Sequence, residues 1–153
     1  MNLGGNIDLL EIDFLTYNLL TIFASSKELT KFEHEKYRQL IEIKDRFETS
    51  KASKTLITLA IITRNILDSK TDNKKSNELF CGELNENGII IKLNIREACN
   101  KIVHAEHIDF EKITENQYSH LSSIINLFGE RQNKEWTAKF DVYEFCLCLQ
   151  KVI

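Results

Sequence analysis

The spacing of the apolar residues changes near residue 79, and this change constrains the fold more than any other feature of the sequence. Before it, apolar residues recur every three or four positions, as on one face of a helix. After it, apolar and polar residues alternate, as in strands with one buried face. Helices separated from strands predict an α+β fold, with an N-terminal helical bundle and a short antiparallel sheet in the C-terminal half.

Three helices are predicted in the first half of the chain. The sequence contains no proline, so long helices need not break. Thr30 and Glu33 fit a capping box, which predicts a helix start. The predicted helices cover 6–27, 30–48 and 53–69, with a joint at 49–53. The first has a wide apolar face made of Leu9, Leu10, Phe14, Tyr17 and Phe23 with their Leu and Ile neighbours.

The second half is predicted to mix strands and helices. Residues 80–95 contain a strand, a turn and a strand, with Asn87-Gly88 as the turn. Asn94 is expected to cap a helix over about 95–107. The remaining predicted elements are strands at 119–128 and 134–142, the second with Trp136, Ala138 and Phe140 on one buried face. The last segment, 143–153, fits a helix or a strand, and a helix is preferred. No element is predicted between 108 and 118.

Length and charge limit the functional classes. The chain has the size of one domain, so 1–153 is predicted to be a single domain with a helical part at about 6–70 and a mixed part at about 79–153. A net charge of -3 argues against a large phosphate-binding face. No run of about 18 apolar residues occurs, and no basic region precedes an apolar run at the N-terminus. We therefore expect a cytoplasmic protein that does not span a membrane.

Neither a cofactor nor a metal ion is predicted. His104 and His107 lie three residues apart with Glu106 and Asp109 close by, but catalytic zinc usually has three protein ligands, and the HExxH pattern is absent. The cysteines are expected to be reduced thiols, largely in the core. They are Cys81, Cys99, Cys146 and Cys148, and the last two lack the spacing of a CxxC redox motif.

The predicted helix at 95–107 carries the most informative polar residues. Four of them, Arg96, Asn100, His104 and His107, follow one stripe beside the predicted inward face of Ile95, Ala98, Cys99 and Ile102. A guanidinium, an amide and an imidazole on one groove suit the binding of a phosphate and general-base chemistry near neutral pH. The alternative interpretation is a solvated face, with His104 at the helix end where a cation is favoured.

Arg64 is the second candidate, because it lies in the most apolar predicted helix. A buried arginine is costly unless it is paired, and Asp68 lies one helical turn further on. One interpretation is a structural pair between the two. The other directs Arg64 toward the polar stripe on 95–107.

The helices at 53–69 and 95–107 resemble the HEPN superfamily, over about residues 6–107. That family's active site is an Arg followed by four to six residues and then a His, and the Arg is often followed by a polar residue such as Asn. The nearest match here is Arg96 to His104 (R-E-A-C-N-K-I-V-H), with seven intervening residues, while Arg64-Asn65 matches the start of the motif. Many members are RNA-cutting enzymes of prokaryotic toxin–antitoxin, CRISPR and anti-phage systems, typically metal-independent dimers.

Two functional hypotheses remain. The preferred one is a small acidic interaction protein without catalysis, similar to an antitoxin, an inhibitor or an accessory subunit, in the prokaryotic or mobile-element defence setting that the resemblance implies. Its partner would be a protein whose identity the sequence does not give, and a homodimer stays open. The alternative is a HEPN-like metal-independent ribonuclease. There His104 would act as general acid or base, Arg96 or Arg64 would bind the RNA phosphate, and Asn100 would orient it.

Overall fold

The computed structural model describes the backbone of residues 3–32 and 34–153 and the side chains of 9–32 and 34–153. The elements are, in order, α1 (Leu3–Thr30), a 3-10 turn (Glu35–Tyr37), α2 (Arg38–Ser69), α3 (Lys74–Glu78), β1 (Phe80–Glu86), β2 (Ile89–Asn94), α4 (Ile95–His104), β3 (His107–Glu115), β4 (Tyr118–Arg131), β5 (Lys134–Asp141) and α5 (Val142–Val152). The predicted α+β class is confirmed, with the helical bundle first and an antiparallel sheet in the second half.

The helices predicted at 30–48 and 53–69 are one continuous helix, so the predicted joint at 49–53 is wrong. This segment contains neither glycine nor proline, and its side chains fit a helix. Ala52 is fully buried, and the hydroxyl of Thr55 donates to the carbonyl of Lys51 at 2.8 Å. Packing and local hydrogen bonds therefore keep α2 helical through the predicted joint.

Thr30 does not start a helix, which corrects the predicted capping box. It is the last residue of α1, and its hydroxyl donates to the carbonyl of Lys27 at 2.6 Å. Its predicted partner Glu33 lies outside the described residues. The hydroxyl thus satisfies a carbonyl at the end of one helix and caps no following helix.

The apolar face of α1 also differs from the prediction. Phe23 is buried as predicted, but the other four predicted residues are exposed: Leu9, Leu10, Phe14 and Tyr17. Ile12 and Leu19, two of their predicted Leu and Ile neighbours, lie on the opposite side of the helix and are fully buried. Because α1 is apolar on more than one side, its spacing alone did not determine which side would face the sheet.

The sheet has five antiparallel strands in the order β2-β1-β5-β4-β3. The predicted Asn87-Gly88 turn is confirmed, because both residues have the positive φ of a type I′ turn. Strand β3, which the sequence analysis missed, pairs with β4 along most of its length. Its apolar alternation is interrupted by a register shift between Phe110 and Lys112, which hides the two-residue period.

One face of the sheet packs against the helices. Trp136, Ala138 and Phe140 of β5 are buried as predicted, while the alternating Thr137 and Lys139 are exposed on the other face. The terminal helix α5 is also confirmed, and the side chain of Asp141 caps its first turn. Within the described residues, no helix has the length and hydropathy needed to cross a membrane.

A buried polar network joins both long helices to β4. The ammonium group of Lys44 donates to Glu48 at 3.2 Å, to Asp45 at 3.0 Å and to the carbonyl of Ser119 at 2.9 Å. The second carboxylate oxygen of Glu48 accepts from Ser26 of α1, and the Ser26 hydroxyl accepts from the amide of Leu121. The side chains of Lys44 and Glu48 are 2% and 6% exposed, so this pair is desolvated and fully hydrogen-bonded.

We predict that Glu48→Leu lowers the free energy of unfolding by about 3 kcal/mol, because it leaves the buried ammonium of Lys44 without its buried counter-ion. Urea unfolding measures the loss. The control is Glu28→Gln, which breaks the exposed pair with Lys31 and should cost about 0.5 kcal/mol or less. The double variant Lys44→Met/Glu48→Leu should recover much of the loss, because no uncompensated charge remains. Equal losses in Glu48→Leu and Glu28→Gln would contradict a structural role for the network.

Candidate functional site

Helix α4 is shorter than predicted. Asn94 caps it as expected, because its side-chain oxygen accepts from the amide of Glu97 at 2.8 Å. The predicted inward face, Ile95, Ala98, Cys99 and Ile102, is buried. The helix ends at His104, and His107 is the first residue of β3. His107 is therefore not part of the polar stripe, and its ring lies against Phe128, with 5.9 Å between the ring centroids.

Arg64 and Arg96 share one carboxylate. The Arg96 guanidinium donates through Nη2 to Oδ1 of Asp68 at 2.6 Å, and Nε of Arg64 lies 3.7 Å from Oδ2 of the same residue. Both interpretations of Arg64 were thus partly right, since it pairs with Asp68 and also faces the polar stripe on α4. The cluster links α2 to α4 at a half-exposed position, where an ion pair is moderately screened by water.

His104 completes the cluster. Nη1 of Arg64 lies 3.3 Å from Nε2 of His104. A guanidinium group can only donate hydrogen bonds, so Nε2 must accept in this contact. The tautomer that fits this contact carries its proton on Nδ1. To take a proton from a substrate through Nε2, His104 would first have to separate from Arg64.

Asn100 and His104 line a cavity of about 400 Å³, while Arg64 and Arg96 lie outside its lining. Arg64 and Arg96 therefore belong to the cluster around Asp68, and Asn100 belongs to the cavity wall. His104 belongs to both. The other residues that line the cavity were not predicted from the sequence, and they are Lys101, Glu130, Arg131 and Trp136. The pairing of β4 with β5 brings their residues beside α4, and sequence spacing does not predict this pairing.

Lys101 is a buried charged residue in the wall of this cavity. Its ammonium group lies 2.9 Å from Glu86, 3.6 Å from Glu97 and 4.4 Å from the centre of the Trp136 ring. Its side chain is 4% exposed, so the two carboxylates and the aromatic face replace its hydration. One sequence signal pointed to it, because Glu97 lies four residues before Lys101, which is the favourable helical order.

The cysteines are poor nucleophiles in this fold. All four are free and buried. Burial raises the pKa of Cys99 and of Cys146 to about 12, and nearby Asp141 adds to the shift at Cys146. Burial also raises the pKa of Cys81 and of Cys148. The thiolate is the reactive form, so none of these side chains supplies a nucleophile near neutral pH.

Most polar groups at the centre of the cluster are paired with one another. Each guanidinium faces the Asp68 carboxylate, and the Nε2 lone pair of His104 faces Arg64. Nη1 of Arg96 is buried and makes no hydrogen bond with any described residue. In the part of the chain that the structure describes, no three His, Cys, Asp or Glu side chains are placed to hold a metal ion.

Comparisons of the chain with protein-family models, with curated proteins and with solved structures found no match. The resemblance to the HEPN superfamily therefore stays a prediction from the Arg and His spacing.

We predict that ¹⁵N NMR of neutral His104 shows the proton on Nδ1, because Arg64 donates to Nε2. Arg64→Met removes this donor and should increase the fraction of the tautomer protonated on Nε2. Asn65→Met, at the exposed neighbouring position, is the control and should leave the tautomer unchanged. The same tautomer ratio in wild type and Arg64→Met would show that the Arg64–His104 contact does not form in solution.

We also predict that the free energy of unfolding falls as the pH rises from about 9 toward about 12. The folded protein holds the Cys99 proton more tightly than the unfolded chain, so the stabilisation is complete below the unfolded pKa and is lost through the folded one. Each such thiol contributes up to about 1.4 kcal/mol per pH unit. Urea unfolding under reducing conditions should give a shallower slope for Cys99→Ala. An unchanged slope would contradict the buried thiol as a cause.

Proposed function

We propose that this protein is a non-catalytic interaction protein that binds a partner protein through the outward side of α1 and α2. The observation that carries this proposal is the exposure of three aromatic rings on the two helices. Phe14, Tyr17 and Phe47 are 63%, 67% and 56% exposed. Aromatic side chains bury roughly 150–250 Å² each, so these rings leave roughly 300–450 Å² of apolar surface in water. Larger apolar patches on monomeric proteins often have a binding function.

These rings belong to two exposed rows, one on each helix, and Ile43 and Phe47 of the α2 row also line a groove between the helices. On α1, Leu10, Phe14 and Tyr17 follow helical spacing, and on α2 Leu40, Ile43 and Phe47 do the same. The groove between the helices has a volume of about 240 Å³, and its lining includes Thr21, Leu29, Ile43 and Phe47. An apolar ridge, such as one face of a partner helix, fits a groove of this kind.

The charge on the α2 row indicates the chemistry of the partner. Lys51 lines the groove, and Lys54 lies one turn further along the same side of the helix. Both are exposed, and neither forms an ion pair with any described residue. We infer a partner whose apolar ridge is bordered by carboxylates opposite these two lysines, since opposite charges at the rim favour the correct orientation.

The second candidate function is metal-independent RNA cleavage by Arg96, Asn100 and His104, with Arg64. The observation in its favour is the convergence of Arg64, Arg96 and His104 from two helices. The shared carboxylate of Asp68 weighs against it, because it offsets charge that a phosphate would need. The HEPN resemblance would place either function in a prokaryotic defence system.

The test introduces a photo-crosslinking residue at Tyr17, at Phe47 or, as the control, at Leu147, which is exposed on α5. In cells of the source organism, we expect the first two positions to trap the same protein and Leu147 to trap none. The variant Phe14→Ser/Phe47→Ser should lose this partner while keeping its unfolding midpoint, because exposed side chains change stability by about 0.5 kcal/mol or less.

Two outcomes would contradict the proposal. One is equal crosslinking from Leu147, or no crosslinking at either helical position. The other is cleavage of single-stranded RNA by the purified protein in EDTA, provided that the activity disappears in His104→Ala. The second outcome would establish the ribonuclease instead.

A further inference from the structure

Strand β2 is an unusual edge strand. It is the first strand in the sheet order, and among the described residues no other strand pairs with its outer side. Three consecutive isoleucines, Ile89, Ile90 and Ile91, are each more than half exposed. Because successive side chains of a strand point to opposite faces, both faces of this edge are apolar.

The opposite edge of the same sheet is protected. Strand β3 carries charges along its length, at Asp109, Glu111, Lys112 and Glu115. Charged side chains are a common way to prevent an edge strand from pairing with another chain. On β2 the corresponding positions are isoleucines, and Lys92 is the single charge in the strand. The β3 edge of this sheet therefore carries charges that hinder pairing with another chain, and the β2 edge carries apolar side chains in their place.

The turn determines which backbone groups of β2 face outward. In a two-residue type I′ hairpin, the residues that flank the turn form a hydrogen-bonded pair, here Glu86 and Ile89. The next pair along an antiparallel ladder is not hydrogen-bonded. Ile90 and Lys92 therefore direct their amides and carbonyls away from β1, toward the open edge.

We propose that β2 pairs with β2 of a second copy of this chain, antiparallel and around a two-fold axis at Ile90. In this register Ile90 faces its own copy, Ile89 faces Ile91 of the other protomer, and Lys92 faces Gly88. The two five-stranded sheets then form one continuous sheet across the axis. The outward backbone groups of the two Ile90 residues pair with each other, and each isoleucine packs against another isoleucine.

A second copy of the chain fits the β2 edge because β2 is complementary to itself. A two-fold interface must match a surface with itself, and β2 does so without opposing like charges, because its single lysine meets a glycine. The contact is separate from the groove between α1 and α2, so this proposal and the proposed function can fail independently.

The test is sedimentation equilibrium over a roughly hundredfold range of concentration, where mass action shifts a weak dimer. The wild-type mass should rise from 17.8 kDa toward twice that value. Ile90→Lys places two ammonium groups opposite each other at the axis, so it should remain at the protomer mass. Ile113→Lys is the matched control, because Ile113 is an exposed isoleucine on the β3 edge, and it should dimerise like the wild type.

The proposal is overturned if the wild type stays at the protomer mass, if Ile90→Lys still dimerises, or if Ile113→Lys is equally monomeric. It is also overturned if Phe14→Ser/Phe47→Ser abolishes the dimer while Ile90→Lys does not, because the helical groove would then be the contact. Thermal unfolding of Ile90→Lys should match the wild type, since the replaced side chain is 63% exposed.

Discussion

The buried pair of Lys44 and Glu48 fixes how the long helices lie on the sheet. Two charges in the interior are tolerated only when their hydrogen bonds are complete, and here α1, α2 and β4 each supply partners. A rotation of α2 by even part of a turn would break this set. The same orientation that turns Lys44 and Glu48 inward turns Ile43 and Phe47 outward. Ala52, Leu56 and Leu59 are buried on the same side of α2 as this pair, so the network and apolar burial favour the same rotation of the helix.

The polar cluster between α2 and α4 has a different character. Its ion pairs are half exposed, and one carboxylate serves two guanidiniums. Sequence spacing found its members, because Arg96, Asn100 and His104 follow one stripe of a helix and Arg64 stands out in an apolar one. It did not find that Asp68 would be shared, or that Glu130, Arg131 and Trp136 would close the neighbouring cavity. Those contacts join positions far apart in sequence, and their register is set by the whole sheet.

The fold was predictable where local chemistry leaves one solution. Asn87-Gly88 adopts the positive φ that its turn needs, and the Asn94 side chain satisfies a free amide at the start of α4. Prediction failed where a local signal was compatible with two structures. The segment at 49–53 has the composition of a loop but nothing that breaks a helix, and burial of Ala52 decides the outcome. Likewise α1 is apolar on both sides, and only the sheet selects the side of Ile12 and Leu19.

The absence of a break in α2 has a mechanical consequence. Lys44 near one end and Arg64 near the other are separated by roughly 30 Å of continuous helix. A helix transmits an axial displacement along its length without absorbing it in a hinge. The groove beside Phe47 and the Arg64–His104 contact, at 3.3 Å, therefore share one helix with no hinge between them. The groove and the polar cluster thus lie near opposite ends of one rigid helix.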